Sequence, residues 1–185
     1  MTERELDIEA NRRAVKYTRG ELLVRAAWIP GQWLFRWSPR TAFGFRAALL
    51  RLFGARVGRN VHIYATARIY IPFNLEIGDD SSIGEWALVY ALGPVSIGRR
   101  CTISHQAHLC AGTHDARDVA LPLVRSSIRI EDEAWVCADA FVGPDVTVGA
   151  RAIVGARAVA VRDVAPDSIV GGNPAQVIGT RELRA

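Results

Sequence analysis

Aliphatic residues recur every six positions through most of this chain: Val57, Ile63, Ile69; Ile77, Ile83, Val89; Ile97, Ile103, Leu109; then Ile130, Val136, Val142, Val148 and Val154. Four places after the aliphatic the residue is nearly always small, as at Val61, Ala67, Ser81, Ala87, Cys101, Ala107, Thr113, Ala134, Ala140, Val146, Ala152 and Ala158. Glycine often follows the aliphatic directly: Gly58, Gly78, Gly84, Gly98, Gly143, Gly149 and Gly155.

A period of six is neither helical nor simple strand alternation, so each unit is a short strand plus a sharp corner. No such unit buries its apolar side alone. Stacked as a parallel β-helix with three hexapeptides per coil, the aliphatics fill a narrow interior and the small residues sit where the wall bends. The glycines are expected at corners whose backbone a Cβ would strain. One or two matches could arise by chance, but a dozen in long registers could not.

At 185 residues and 50% hydrophobic content, the chain suits one solid domain plus an accessory element. Charges interrupt the apolar runs, and the acidic start MTERELDIEA is unlike a signal peptide. A cytoplasmic protein is therefore expected. Cys101, Cys110 and Cys137 have no zinc-finger or CxxC spacing and read as small packing residues. The net charge of +4 is uneven: residues 1–60 hold twelve Lys+Arg against five Asp+Glu, a balance of +7 that leaves −3 for the rest. A basic N-terminal third suits an anionic neighbour such as phosphate, coenzyme or membrane surface, and nothing calls for nucleic acid.

Three segments are expected: an N-terminal helical accessory element at 1–56, a solenoid at 57–172, and a C-terminal tail at 173–185. Pro30 and Gly31 should break or kink a helix in Glu21 to Trp37, and Phe43 to Phe53 suits an amphipathic helix carrying Arg46 and Arg51. Two readings of residues 20–53 stand side by side. One is a cap over the open first coil, which solenoids need. The other is a peripheral contact with the inner face of the cell membrane, because Trp28, Trp33, Phe35 and Trp37 alternate with arginines. Small corner loops are expected at Tyr70 to Leu75 and Ala91 to Pro94. The ladder's largest interruption follows Leu109, whose next convincing partner is Ile130, so a loop of about fifteen extra residues, near 115–129, leaves the wall just after Thr113 and His114.

The ladder, the loop after Thr113-His114-Asp115 and the closing Gly172-Asn173-Pro174-Ala175 resemble the hexapeptide-repeat acyltransferases. Within them, SPR (Ser38 to Arg40), LLRLFGARVG (Leu49 to Gly58), YALGPVSIG (Tyr90 to Gly98) and HLCAGTHD (His108 to Asp115) resemble the colanic acid biosynthesis branch. The resemblance covers nearly the whole chain. It implies a left-handed β-helix, a homotrimer with active sites between neighbouring prisms, and acetyl transfer from acetyl-CoA to a sugar hydroxyl. The acceptor would be a small sugar or a lipid-linked glycan.

That reaction needs a base, since a sugar hydroxyl is a poor nucleophile, and imidazole titrates near neutrality. His114 matches the family's catalytic histidine, and Asp115 would orient it or bind a sugar hydroxyl. The resemblance further implies coenzyme contacts at Trp135, Ala138, Ala156 and Arg162, with Asn173, Pro174, Arg181 and Arg157 as weaker candidates. Trp135 reads equally as a packing residue at a trimer interface, and Arg162 as a solvated corner charge. Where galactoside and maltose acetyltransferases carry an asparagine one coil before the histidine, this chain has Trp86, with Ala91 nearby, and neither offers an amide. Glu85, Tyr90, Arg117 and Asp118 are the expected acceptor contacts.

His105, His108 and His114 also invite a zinc reading, as in carbonic anhydrases on the same fold. Their spacing does not match that family, so no metal is expected. A metal-dependent hydratase and a non-catalytic trimeric scaffold are the alternatives that fold alone does not separate.

Overall fold

The structure, a computed structural model, describes residues 5–184; the first four residues of the acidic start, and residue 185, lie outside the described part. Fifteen of its strands form three parallel ladders that wrap one interior in turn. The first face stacks β1 (Arg56–Val57), β4 (Leu75–Ile77), β7 (Val95–Ile97), β12 (Ile128–Ile130) and β15 (Thr147–Val148). The second stacks β2 (His62–Ile63), β5 (Ser82–Ile83), β8 (Thr102–Ile103), β13 (Trp135–Val136) and β16 (Ile153–Val154). It continues into β18 (Ser168–Gly171), onto which β19 (Gln176–Thr180) folds back antiparallel. The third stacks β3 (Arg68–Ile69), β6 (Leu88–Tyr90), β9 (His108–Cys110), β14 (Phe141–Val142) and β17 (Val159–Ala160). The result is a triangular prism, five full coils long.

Ladder partners lie in perfect register, Ile63 beside Ile83 and Ile83 beside Ile103, for example. Every ladder aliphatic from Ile63 to Val154 is buried, and so is every small residue of the corner slots except Thr113. Each aliphatic so enclosed contributes about 1.5–3 kcal/mol. Cys101 is buried, its Sγ 3.0 Å from the Glu131 carbonyl, and desolvation pushes its thiol up to about 11. All three cysteines are free.

The ladder glycines have a different physical reason from the expected one. None has a positive φ; the left-handed corner positions are taken by Asn60, Asp80, Trp86, Arg100, Gln106, Glu133, Asp139, Asp145, Arg151, Arg157 and Asp167. All of them but Gly143 instead sit where the next coil presses close. A Cβ on Gly78 would lie 2.6 Å from the Gly98 carbonyl carbon, and one on Gly84 would lie 2.7 Å from the His105 nitrogen.

The N-terminal element also departs from expectation. Beyond the short α1 (Ile8–Arg13), α2 runs unbroken from Arg19 to Trp37 with Pro30 inside it, opened by a capping box between Thr18 and Glu21. A proline in mid-helix costs a hydrogen bond but is tolerated where packing holds the helix on both sides. Here Trp28 and Phe35 supply that packing. Both are buried, Trp28 packs edge-on to Phe53 at 4.9 Å, and its Nε1 donates to the Ile69 carbonyl at 2.8 Å. In α3 (Phe43–Leu52), Arg46 is not on a solvent face but fully buried. Its guanidinium donates to the Ile63, Pro39 and Arg40 carbonyls and to Ser38 Oγ, over distances of 2.5–2.8 Å. One charged fork thus satisfies three carbonyls that would otherwise be orphaned between cap and first coil.

The three departures from the hexad all leave the prism at one edge, between the third face and the first. The short turns at 70–74 and 91–94 stack there, with Asn74 Nδ2 donating to the Ala91 and Leu92 carbonyls at 3.0 and 2.9 Å. The long insertion follows one coil on. It is a β-hairpin rather than an irregular loop, pairing β10 (Gly112–His114) with β11 (Leu123–Arg125). It begins at Gly112, so Thr113 belongs to the hairpin and is exposed, not a corner slot of the wall.

Candidate active site

The hairpin is held from two sides. His114 pairs across it with Leu123. From outside, the N-terminal arm clasps it: Asp7 N donates to the Val119 carbonyl at 2.8 Å, and Asn11 Nδ2 donates to the Ala120 carbonyl at 2.8 Å. Arg125 forks onto Glu21 at 2.6 Å and stacks on Tyr17, which carries Arg25 on its ring at 3.8 Å. The Arg125 guanidinium, with the Thr18 N–H behind it, holds the Glu21 carboxyl at about 2. Arg125 was not among the expected site residues, because an ion pair spanning 104 positions leaves no local signal.

The imidazole of His114 is exposed, with Nδ1 2.6 Å from the Leu121 carbonyl oxygen. A carbonyl only accepts, so Nδ1 carries a proton, and in the neutral ring the lone pair is then on Nε2. Leu121 presents that oxygen from a left-handed backbone with φ 45. Asp115 takes a different part: its Oδ1 accepts from Arg117 N at 3.0 Å and closes the tip of the hairpin, while the contact on the ring comes from Leu121. Asp118 likewise closes a turn, accepting from Ala120 N at 2.8 Å.

The expected coenzyme residues fall on separate parts of the prism. Ala138, Ala156 and Asn173-Pro174 lie on successive coils of the edge between the second and third faces. Arg157 is there too, donating to Asp139 at 3.2 Å. Arg162 is exposed on the same edge as the His114 hairpin, two coils below it. Arg181 lies at neither edge: it donates to the carbonyls of Glu133 and Arg151 at 2.7 and 3.2 Å, securing the C-terminal strand at the third corner. Trp135 stands half-exposed on the second face, its Nε1 donating to Ser104 Oγ at 2.9 Å.

Compared with known proteins, the chain matches no family model. It is 37% identical over 158 residues to the Escherichia coli K12 protein named colanic acid biosynthesis acetyltransferase WcaF, covering 85% of this chain and 87% of that one. An acetyltransferase of Dictyostelium discoideum is 32% identical over 135 residues, 69% of this chain and 68% of the other. This chain is a hexapeptide-repeat acetyltransferase, of the colanic acid biosynthesis branch.

Solved structures share its fold. The Vibrio cholerae hexapeptide-repeat acetyltransferase complexed with acetyl-CoA superposes with a TM-score of 0.82 at 24% identity, over 91% of this chain and 93% of that one. A galactoside acetyltransferase with coenzyme A gives 0.82 at 21%, over 94% and 88%. The prism is the left-handed parallel β-helix of that group.

In this acetyltransferase the acceptor candidates divide as the coenzyme candidates do. Tyr90 lies on the third face toward the hairpin edge, edge-on to Tyr70 at 5.0 Å, and burial raises its phenol. Arg117 and Asp118 are at the hairpin tip. Glu85 sits on the other edge, paired with Arg40 at 2.8 Å. Beside it Trp86 holds a left-handed φ of 61 under the guanidinium of Arg36, 4.9 Å away. Trp86 therefore does not occupy the place one coil before His114 on its own edge. That place belongs to the 91–94 turn, where buried Leu92 packs against Gly112. Among the described residues no group of three or more His, Cys, Asp or Glu is arranged to hold a metal ion. His105 is at the edge with Ala138, His108 faces Phe141 at 5.2 Å on the third face, and His114 is on the hairpin.

Proposed function

We propose that the enzyme moves the acetyl group of acetyl-CoA to a sugar hydroxyl of an exopolysaccharide, capsule or glycolipid precursor, with His114 as general base. The observation that carries the reading is the Nδ1 contact to Leu121, which leaves Nε2 as an exposed acceptor at the base of a clasped hairpin. In the reaction His114 Nε2 takes the hydroxyl proton as the oxygen bonds to the thioester carbon. The tetrahedral intermediate then collapses, the C–S bond breaks, and the leaving thiolate takes the proton back from the imidazolium.

The site is shared between copies of a homotrimer. His114 and Arg162 line one edge of the prism, and Ala138, Ala156 and Asn173-Pro174 line another, so the third face separates the two sets within a single chain. A cyclic assembly apposes one edge of a protomer with the other edge of its neighbour. Pantetheine would then run along Ala138 and Ala156, with Arg162 of the facing copy near the phosphates. Tyr90, Arg117 and Asp118 flank His114 on the acceptor side, with Asp115 closing the turn that carries Arg117 or meeting a sugar hydroxyl.

The test is release of free thiol from acetyl-CoA against a panel of sugars, nucleotide sugars and lipid-linked glycans, with product mass as a second readout. His114→Ala is expected to lower turnover by about 10²–10⁴-fold without changing the assembled mass. Turnover near wild type in that variant would remove His114 from the mechanism.

A further inference from the structure

We infer that the outer face of α2 is a docking surface for an anionic lipid bilayer, with the helix lying in the plane of the interface. The inference stands apart from the transfer chemistry. Helix α2 buries one side, through Trp28, Gly31 and Phe35, and its opposite side is apolar and open. Leu22, Leu23, Ile29, Trp33, Leu34 and Trp37 are each 51–77% exposed. Their spacing of three, four and seven places them on one stripe. The stripe continues onto α3 through a hollow of about 640 Å³ between Trp33, Trp37 and Phe45. No scattering of single surface residues accounts for a stripe of this length, and a soluble face so apolar marks an interaction site.

Charge selects the occupant. Between Glu21 and Glu76 the chain has no carboxylate and eight arginines, and Glu21 itself is neutralised by Arg125. Arg25 and Arg36 flank the stripe, and Arg19 stands at its start. A second copy docked face to face on this stripe would bring the same cations against these, whereas phosphate headgroups complement them. Tryptophan at the border of apolar and charged surface is the pattern of interfacial helices. No helix among the described residues is long and apolar enough to cross a membrane, so the stripe lies on the bilayer rather than through it.

The experiment is flotation of the full-length protein with phosphatidylcholine vesicles, with and without phosphatidylglycerol. The wild type is expected to float with the anionic vesicles, to be released by raised salt, and to stay behind with the neutral ones. Trp33→Ser/Trp37→Ser changes two exposed side chains and should lower partitioning at least tenfold while thiol release with a water-soluble acceptor persists. Arg19→Glu/Arg36→Glu should weaken the anionic binding alone. Three results would each overturn the inference: no flotation of the wild type, equal flotation of the tryptophan variant, or a fall in assembled mass of that variant by light scattering, which would assign the stripe to contacts between copies.

Discussion

Arg125 and Glu21 join the base of the hairpin that carries His114 to helix α2. The carboxyl is ionised down to about 2 against an ordinary 4.5, chiefly through its hydrogen bond with Arg125. Because the folded value is the lower one, the pair's stabilisation is complete above pH 4.5 and is lost as pH falls from there toward 2. The difference in denaturant stability between wild type and Glu21→Gln should therefore be constant above that window and vanish at its acid end. A difference that stays unchanged through the window would show that the pair contributes nothing. Arg46 works the opposite way, as a buried charge with no carboxylate partner, whose desolvation lowers its pKa while four oxygens compensate it. Neither role is written in the local sequence. Both arginines read there simply as part of a basic composition.

Strands of two or three residues are too short to hold themselves, so the elements here are stable only as stacks, and most ladder glycines lie where two coils approach too closely for a Cβ. Gly78→Ala forces a Cβ onto the backbone of the next coil, 2.6 Å from the Gly98 carbonyl carbon, where no side chain can yield. We expect it to cost about 1–3 kcal/mol in a denaturant melt. Gly143→Ala meets nothing closer than 3.4 Å and should stay within about 0.5 kcal/mol of wild type. Equal losses in the two would show that the approach of coils is not what selects glycine. The hexad ladder made the solenoid legible down to its registers, since period and residue size are read directly from the chain. The reason for glycine was not legible, because contact between coils relates residues twenty apart. Pro30 does not break α2, the first of the two outcomes local propensity points to, and the buried Trp28 and Phe35 on either side of it hold the helix together. In the candidate site, His114 could be found from the break in the ladder. The carbonyl that fixes its tautomer could not, since backbone groups carry no sequence.

The whole molecule is a prism whose faces differ in what they show to solvent. The first presents Arg56, Glu76, Ser96, Arg129 and Thr147, and the third presents Arg68, Leu88, His108, Phe141 and Val159. The edges beside the third face are the two that hold most of the candidate site residues, His114 and Arg162 on one and Ala138, Ala156 and Asn173-Pro174 on the other. If the site spans copies, two separately inactive variants should rescue each other. Chains carrying His114→Ala and chains carrying Ala156→Trp, unfolded and reassembled together in equal amounts, should recover about a quarter of wild-type turnover, since a quarter of the apposed edges are then intact. Recovery of none would place the complete site in one chain.

The hairpin and the two short turns all depart from the same corner of the prism, and the other two corners keep the hexad without interruption. The scaffold therefore has one seam along which residues can be inserted, removed or exchanged while every coil stays in register. Changing the length of the hairpin tip between Asp115 and Leu121 would change what stands beside His114 without altering a single buried ladder residue. If the proposed acceptor site stands there, the acceptor can be exchanged by editing the seam alone.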